Sequence, residues 1–553
     1  MVVSIKEGGM FLRVKKSAGR EYLQIVESYR EKGKVRQRVI GTIGRTDELV
    51  ERGQIDQLLR SLAKYSKRAV LLLAGSSDPQ AQVKRIGPAL VFERLWEQNG
   101  IGQIIRELLK GRRYRFEVER AVFVTVLHRL MNPGSDRQAE RWKDGYRIAG
   151  GEDLELQHFY RAMDWLGSPL KEQPIEAGFT PRCVKDELEE EIFRRRRDLF
   201  TGMDLVFFDT TSIYFEGEGG QTIGRYGHSK DHRSDLKQMV VGVILDGEGY
   251  PVCCEMWPGN TTDVKTLRVL AKQLKERFGI RRMCVVSDRG MISKATIKEL
   301  EREGIHYILG VRMRKCADIT PDVLEKGAWV EIYGPRRLRK DPSPLLIKET
   351  TVDGRRYIVC ENSEEKKADA EMRAQILASL AEKLRQGESA LIGNKGYRRY
   401  LSVKGKSHFI IDEKKVFKDA CYDGKWVLTT DTELPMVEVA FKYKQLLLVE
   451  MIFRDMKSAL DTRPIFHKFD ETIRGHVFCS FLALVLRKEL DRAIEKAGYR
   501  FEWEDIKRDL KALQETTIED NGKRITVRSR AEGCCGKLFG AVGVALPANI
   551  RAT

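Results

Sequence analysis

The chain has 553 residues, enough for about three to five domains at roughly 100–200 residues each, every one large enough to bury its own core. Hydrophobic residues make up 42% and charged residues 33%, which fits a soluble globular protein, and the longest apolar stretches, Ala69 to Gly75 and Phe481 to Leu486, fall far short of the ~20 residues of a membrane span. Lys and Arg exceed Asp and Glu by 18, so the expected partner is a polyanion bound in a salt-sensitive way; nucleic acid is preferred to an anionic membrane because no basic amphipathic segment is flanked by lipid-facing aromatics.

Met1 to Met10 lack the basic-then-apolar stretch of a secretion signal, so the expected location is intracellular. Residues 10 to 44 alternate in the strand manner: Phe11, Leu12 and Val14, then Tyr22 to Tyr29, a Lys32–Gly33 turn, and Val35 to Ile43. This predicts a small three-stranded meander. Thr46 and Asp47 can cap a helix running to about Tyr65, and Gly75 to Pro79 reads as a linker. From Pro88 to Trp165 apolar residues recur at three and four positions (Ile101, Ile104, Ile105, Leu108; Val118, Val122, Val126, Leu130), the spacing of a helical bundle. Its basic residues Arg106, Lys110, Arg112, Arg113, Arg115, Arg137 and Arg141 suit either phosphate contacts or a solvated face, as does the run Arg194 to Arg197.

Leu205 to Phe208 is a continuously apolar run, as a central buried strand requires, and it ends in Asp209-Thr210-Thr211-Ser212. Met239 to Leu245 and Tyr250 to Trp257 predict two further strands joined across Asp246-Gly247-Glu248-Gly249. A capped amphipathic helix follows (Val264, Leu267, Leu270, Leu274), ending near Gly279. The strand Met283 to Val286 ends at Ser287-Asp288-Arg289-Gly290; a helix from Ser293 to Glu303 and a strand from Tyr307 to Val311 complete the order β-β-β-α-β-α-β. That order is ribonuclease-H-like, with Asp209 and Asp288 at the ends of its first and fourth strands. Residues 312 to 435 then read mainly as strands. Val437 to Leu460 reads as a helix apolar almost all round, in which Leu446 to Val449 and Met451 to Phe453 surround a single carboxylate, Glu450; a charge in that setting needs a partner, so something cationic should face it.

Carboxylates on strand, strand and helix that converge in this topology are what a two-metal phosphoryl-transfer site needs, with hard oxygen ligands holding Mg²⁺. Here the chain resembles the bacterial insertion-sequence transposases of the DDE class, in the group with a β-rich insertion before the catalytic Glu and a Y-x2-R-x3-E-x6-K signature. Tyr443, Glu450 and Lys457 match that signature in type and spacing, while Leu446 stands at the Arg position. On a continuous helix Arg454 lies about 40° from Glu450 and can serve the same face. Asp209-Thr210-Thr211, Pro258-Gly259-Asn260-Thr261, Ser287-Asp288-Arg289-Gly290 and Arg463-Pro464-Ile465-Phe466-His467 also look like the family. The resemblance covers Leu205 to the helix after His476, about half the chain.

The resemblance implies an enzyme that binds the terminal inverted repeats of its own element, cuts the ends and joins the 3′-hydroxyls to target DNA. Asp209, Asp288 and Glu450 would hold two Mg²⁺ ions, with Mn²⁺ able to substitute, and Tyr443 and Lys457 would position a phosphate beside them. Lys230 and Arg233, in the loop His228 to Arg233, are further candidates for DNA contact, against an ordinary polar loop. The chain has no G-x4-G-K-[ST] motif, consistent with water and then a DNA 3′-hydroxyl as nucleophiles without ATP. Expected partners are double-stranded transposon ends and target DNA, with a homodimer on paired ends, no membrane, and a bacterial cytoplasmic location at the nucleoid. Two alternatives stay open: a ribonuclease-H-like nuclease without strand transfer, and a non-catalytic DNA-binding relative.

Trp257, Trp329 and Trp426 suit either base stacking or packing, with packing preferred. His467 and His476 lack ligand partners at useful spacing and read as packing or helix-surface histidines. The ten cysteines are scattered without a C-x2-C…C-x2-C spacing and read as reduced thiols. The expected architecture is α/β: a meander plus helix (1–65), a helical DNA-binding region (86–200), a ribonuclease-H-like core in two parts (201–311 and 436–495) around a β-rich insertion (312–435), and a C-terminal region (496–553).

Overall fold

Alternating residues near the N-terminus form the antiparallel strands β1 (Met10–Ser17), β2 (Arg20–Glu31) and β3 (Lys34–Arg45), paired in that order. The turn between the first two places both Ala18 (φ 48°) and Gly19 (φ 73°) in the left-handed region, whose twist matches that of a two-residue hairpin. This computed structural model describes residues 9–31, 34–63, 80–173, 180–196, 204–279, 283–290, 293–338, 341–386, 399–404, 408–520 and 523–552. The Lys32–Gly33 turn, the approach to Tyr65 and the Gly75–Pro79 linker lie outside them. The chain forms two units: Met1–Gln82 with Thr516–Val527 and Ile550–Thr553, and Val83–Glu515 with Arg528–Asn549. The next strand, β4 (Gln80–Arg85), leads into the second unit.

In that unit the period-3.6 segments form the helices Gly87–Gln98, Ile101–Leu108, Val118–Met131, Asp136–Lys143 and Leu156–Gly167. Ile101, Ile104, Ile105, Val122, Val126 and Leu130 are all buried in their core. A later helix, Asp470–Lys496, packs between them, backbone against backbone. A Cβ on Gly475 would collide with the Met163 carbonyl, and one on Gly167 with the Glu471 carbonyl. Arg106, Lys110, Arg112, Arg113, Arg115, Arg137 and Arg141 are exposed. Arg194 and Arg195 pair with Glu191, and Arg196 lies over the Tyr250 ring; Arg197 is outside the described residues.

The rest of this unit is organised by one sheet. Strands β5 (Asp204–Tyr214), β6 (Gln238–Leu245) and β7 (Pro251–Pro258) are antiparallel neighbours. After helix Asp263–Phe278, β8 (Met283–Ser287) lies parallel to β5; after helix Lys294–Arg302, β9 (His306–Gly310) lies parallel to β8. Beyond β9 come β10 (Val330–Tyr333), β11 (Leu345–Val352), β12 (Arg355–Glu361), the hairpin of β13 (Leu401–Lys404) with β14 (His408–Ile411), and β15 (Lys425–Thr430). Four of these prolong the same sheet to nine strands, in the order β10-β11-β12-β15-β9-β8-β5-β6-β7. The chain's last strands are β16 (Gln514–Asp520), β17 (Lys523–Arg528) and β18 (Ile550–Ala552).

Both faces of the central strands are covered, which is why their sequences are continuous apolar runs. Val206, Phe208, Val240 and Val285 face Leu267, Leu270 and Leu274 of the first crossover helix and Ile297 and Leu300 of the second. Phe207, Val241, Val243 and Val286 belong to the opposite core with Val439, Val449 and Phe478. Beside β7 a buried ionic network replaces apolar packing. The Arg277 guanidinium contacts Glu189 (2.7 Å), Glu190 (2.8 Å), Asp186 (3.2 Å) and Glu255, and Lys185 contacts Asp186 (2.5 Å). Removing the cation at its centre leaves buried carboxylates without their partner. Arg277→Met should therefore destabilise the protein by about 3 kcal/mol or more, read as a large fall in the urea midpoint; a shift within error would show the network to be dispensable.

Candidate active site on the central strands

The parallel register of β5 and β8 pairs Leu205 with Cys284, Val206 with Val285 and Phe207 with Val286. Continued by two residues, it sets Asp209 opposite Asp288, on strands about 4.8 Å apart. Asp209 is half-buried within β5 and accepts a hydrogen bond from the Thr210 amide (2.7 Å). Asp288 follows the last residue of β8. Its loop is fastened by Arg312, whose guanidinium donates to the Arg289 (2.9 Å) and Gly290 (2.7 Å) carbonyls.

The stretch from Val437 to Leu460 is not one helix. Helix Met436–Lys444 ends at Gln445, helix Leu447–Arg454 begins at Leu446, and a π turn spans Asp455–Ala459. A straight helix apolar on every side would need cover on every side. The break turns Leu446, Val449 and Phe453 inward and leaves Leu447, Glu450, Met451 and Arg454 on the outer face. Glu450 is thus exposed, on a helix packed against β5, and needs no burial partner. Among the described residues Glu450 has no ion pair; Arg454, one turn on, does not neutralise it.

Tyr443, in the last turn of the preceding helix, donates its hydroxyl to Asp288 Oδ1 (2.9 Å). Burial and the Asp288 charge push the phenol well above its ordinary range, so it remains a donor. The hydroxyl lies over Gly310, the last residue of β9; a Cβ there would overlap the Tyr443 hydroxyl oxygen and crowd the Arg289 amide at 3.0 Å. Lys230 Nζ donates to the Thr210 carbonyl (2.6 Å) and hydroxyl (2.9 Å) and stands 3.9 Å from Asp209 Oδ1. Lys457 pairs with Asp231 (2.8 Å), and Arg233 with Asp235 (2.9 Å). The structure thus brings Tyr443 to Asp288 and Lys230 to Asp209, sets Glu450 and Arg454 outward beside β5, and holds Lys457 and Arg233 on partners of their own.

Residues 200–486, more than half of the chain, match the family described as the transposase DDE domain, and residues 12–78 match the IS1634 family transposase N-terminal domain. The chain belongs to the DDE transposases of insertion sequences. No curated protein matches this transposase. Among solved structures it is similar to the piggyBac transposase synaptic complex with hairpin DNA, at 12% identity over 77% of this chain and 79% of that one, with a TM-score of 0.37. It is also similar to the Drosophila P element transposase strand transfer complex, at 12% identity over 70% and 84%, with a TM-score of 0.20.

Among the described residues of the transposase, two further clusters bring potential metal ligands within 4.8 Å: Asp136–His467–His476 and Glu189–Cys253–Glu255. In the first, Arg129 donates to His476 Nδ1 (2.9 Å) and His476 Nε2 faces the Thr462 carbonyl (3.2 Å), which fixes the Nε2–H tautomer. His467 Nε2, 3.1 Å from that same Nδ1 and 3.4 Å from Asp136, must then carry a proton, so His467 Nε2 and His476 Nδ1 offer no free lone pair to a metal at this junction. Burial raises the Asp136 carboxyl, but the His467 hydrogen bond and nearby positive charges outweigh it and bring it to about 2. In the second, Arg277 and Lys185 supply the cations. The two histidines are therefore network members rather than helix-surface residues, joined to an Asp more than 300 residues away that no local spacing reveals. Of the tryptophans, Trp257 is buried against Phe208, Trp329 lies under Lys348 and Trp426 near Lys444.

Gly310 was silent in the sequence because its importance lies in what stands over it. Gly310→Ala should displace the Tyr443 hydroxyl and lower the melting temperature, and Gly310→Ala/Tyr443→Phe should recover part of the loss by removing the clashing atom. Additive losses in the double variant, measured by thermal unfolding, would contradict this contact.

Proposed function

We propose that this transposase binds the terminal inverted repeats of its own element, cuts DNA at the element ends and joins the freed 3′-hydroxyls to target DNA at a single site built on Asp209, Asp288 and Glu450. The observation that carries the reading is the parallel β5–β8 register, which two residues further on runs from Asp209 to Asp288; the helix bearing the exposed Glu450 packs on β5 and supports it as the third carboxylate. The order β7-β6-β5-β8-β9 supports a ribonuclease-H-like core, with residues 201–311 and 436–495 as its two parts and 312–435 as a β-rich insertion that continues its sheet.

The donor set suits a hard divalent cation: every candidate ligand is a carboxylate, and Tyr443 engages only Oδ1 of Asp288. Two Mg²⁺ ions, or Mn²⁺ in their place, would supply activation of the attacking oxygen and charge stabilisation at the leaving oxygen. Tyr443 fixes the rotamer of Asp288 by donating to it. Lys230 lies close enough to Asp209 to hold it in place and to attract a phosphate. Water serves as nucleophile for cutting and a DNA 3′-hydroxyl for joining, so neither a covalent protein–DNA link nor nucleotide hydrolysis is required. End recognition falls to residues 86–200 and the N-terminal region, supported by the exposed Arg106, Lys110, Arg112, Arg113, Arg115, Arg137 and Arg141. Paired ends are held by a homodimer acting at the bacterial nucleoid.

The test uses purified full-length protein, Mg²⁺ or Mn²⁺, and DNA carrying the sequences that flank the reading frame. Asp209→Ala, Asp288→Ala and Glu450→Ala should each cut at least about a hundredfold more slowly while still binding the end. Cutting by Asp288→Ala at the wild-type rate would refute the site. Cutting without joined product would favour a nuclease, and binding without any cutting a non-catalytic relative.

A further inference from the structure

Asp231 carries a carboxylate that is nine-tenths buried and only half satisfied. Its Oδ1 is shared by Lys457 Nζ at 2.8 Å and Arg463 Nη1 at 2.6 Å, whereas its Oδ2 is buried without a hydrogen-bond partner. The loop bearing it is fastened to β5: Ser212 Oγ accepts from the Lys230 amide (2.8 Å), and Ser229 Oγ accepts from the amides of Asp231 (3.2 Å) and Arg233 (3.1 Å). It turns at His232 in the left-handed region, φ 57°. Arg463 and Arg233 both lie over the Tyr214 ring, 5.7 and 5.4 Å from its centre.

Two cations converging on one oxyanion oxygen have the arrangement of a phosphate-binding pair. A DNA phosphodiester carries the same single negative charge as Asp231 but offers two non-bridging oxygens. Lys457 belongs to the family signature; Arg463 does not, and the signature's own Arg is replaced by Leu446, which is buried. Arg454, the substitute favoured by helical angle alone, ends helix Leu447–Arg454 with its side chain exposed, whereas Arg463 shares Asp231 Oδ1 with Lys457. Burial pulls the Lys457 ammonium below its ordinary range against the pull of Asp231, so one shared carboxylate does not fully compensate the pair.

We propose that Lys457 and Arg463 form a seat for one DNA backbone phosphate beside the catalytic strand, that Asp231 occupies this seat in the free protein, and that Arg463 supplies the cation absent at Leu446. The inference rests on the DNA-processing function above. Arg463 acts by positioning the strand; Asp231 is the stand-in that the phosphate displaces.

Full-length wild type, Arg463→Ala, Arg463→Lys and Asp231→Asn would be titrated by fluorescence anisotropy against two duplexes of equal length, one carrying the element end and one unrelated, over a range of salt concentrations. Arg463→Ala should bind both more weakly, with a log–log salt slope smaller by about 1. Asp231→Asn should bind severalfold more tightly, because the internal competitor has lost its charge. Wild-type affinity and slope in Arg463→Ala, or weakening by Asp231→Asn equal to that of Arg463→Ala, would overturn the proposal in favour of a structural ion pair. Should Arg463→Ala fail to fold, Arg463→Lys decides: the seat requires an unchanged slope with cutting at least about tenfold slower, and unchanged cutting would overturn it. The unrelated duplex keeps the outcomes apart, since its salt slope reports the seat even if wild type neither prefers the element end nor cuts it.

Discussion

The parallel pairing of β5 with β8 is the constraint on which the rest of the second unit depends. Parallel strands need a crossover, and here the chain travels through β6, β7 and helix Asp263–Phe278 before returning beside β5. The pairing holds only while both faces are buried, and the register is fixed because a one-residue slip would exchange the two apolar faces. Its consequence is chemical: Asp209, which lies within β5 rather than at its end, and Asp288, just past the end of β8, sit on neighbouring strands, where like charges repel unless a donor or cation is supplied. The Tyr443 hydroxyl, admitted over Gly310, supplies a donor to one; Lys230 stands near the other.

Charge is handled in two opposite ways in this fold. In the network around Arg277 and in the Arg129–His476–His467–Asp136 chain, each charged group meets compensating partners within the protein, and the result is fixed packing. Around β5 the account is left open. Asp231 serves two cations with a single oxygen, and Glu450 stands exposed on a face shared with Leu447, Met451 and Arg454. Asp231 sits on the loop between β5 and β6, and Glu450 on the helix packed against β5.

Much of the central sheet was legible because each strand carries its own signal. Leu205–Phe208 is apolar throughout, as a strand covered on both faces must be, and the hairpin chemistry at Asp246–Gly249 is local. What escaped the sequence depends on juxtaposition. The break at Gln445–Leu446 has no Pro or Gly to announce it. Gly310 matters only through a tyrosine more than 130 residues later, and Arg463 only through an aspartate more than 230 residues earlier. Most of the strands following β9 carried local signals, β13 excepted, but their continuation of the core sheet did not, since β15 reaches β9 through long-range pairing that leaves no local mark. The signature marked Tyr443 and Lys457 by spacing alone, while their partners Asp288 and Asp231 follow from tertiary structure.

The central claim, that Asp209 and Asp288 form one cation-binding pair with Glu450 beside them, is tested most directly by iron-mediated hydroxyl-radical cleavage of the full-length protein. Fe²⁺ with ascorbate cuts the polypeptide close to wherever a divalent cation is held. The account predicts cuts near Asp209, Asp288 and Glu450 that excess Mg²⁺ suppresses and that Asp288→Ala abolishes. Cleavage confined to the neighbourhood of Asp136 and His467, or unaffected by Asp288→Ala, would contradict it.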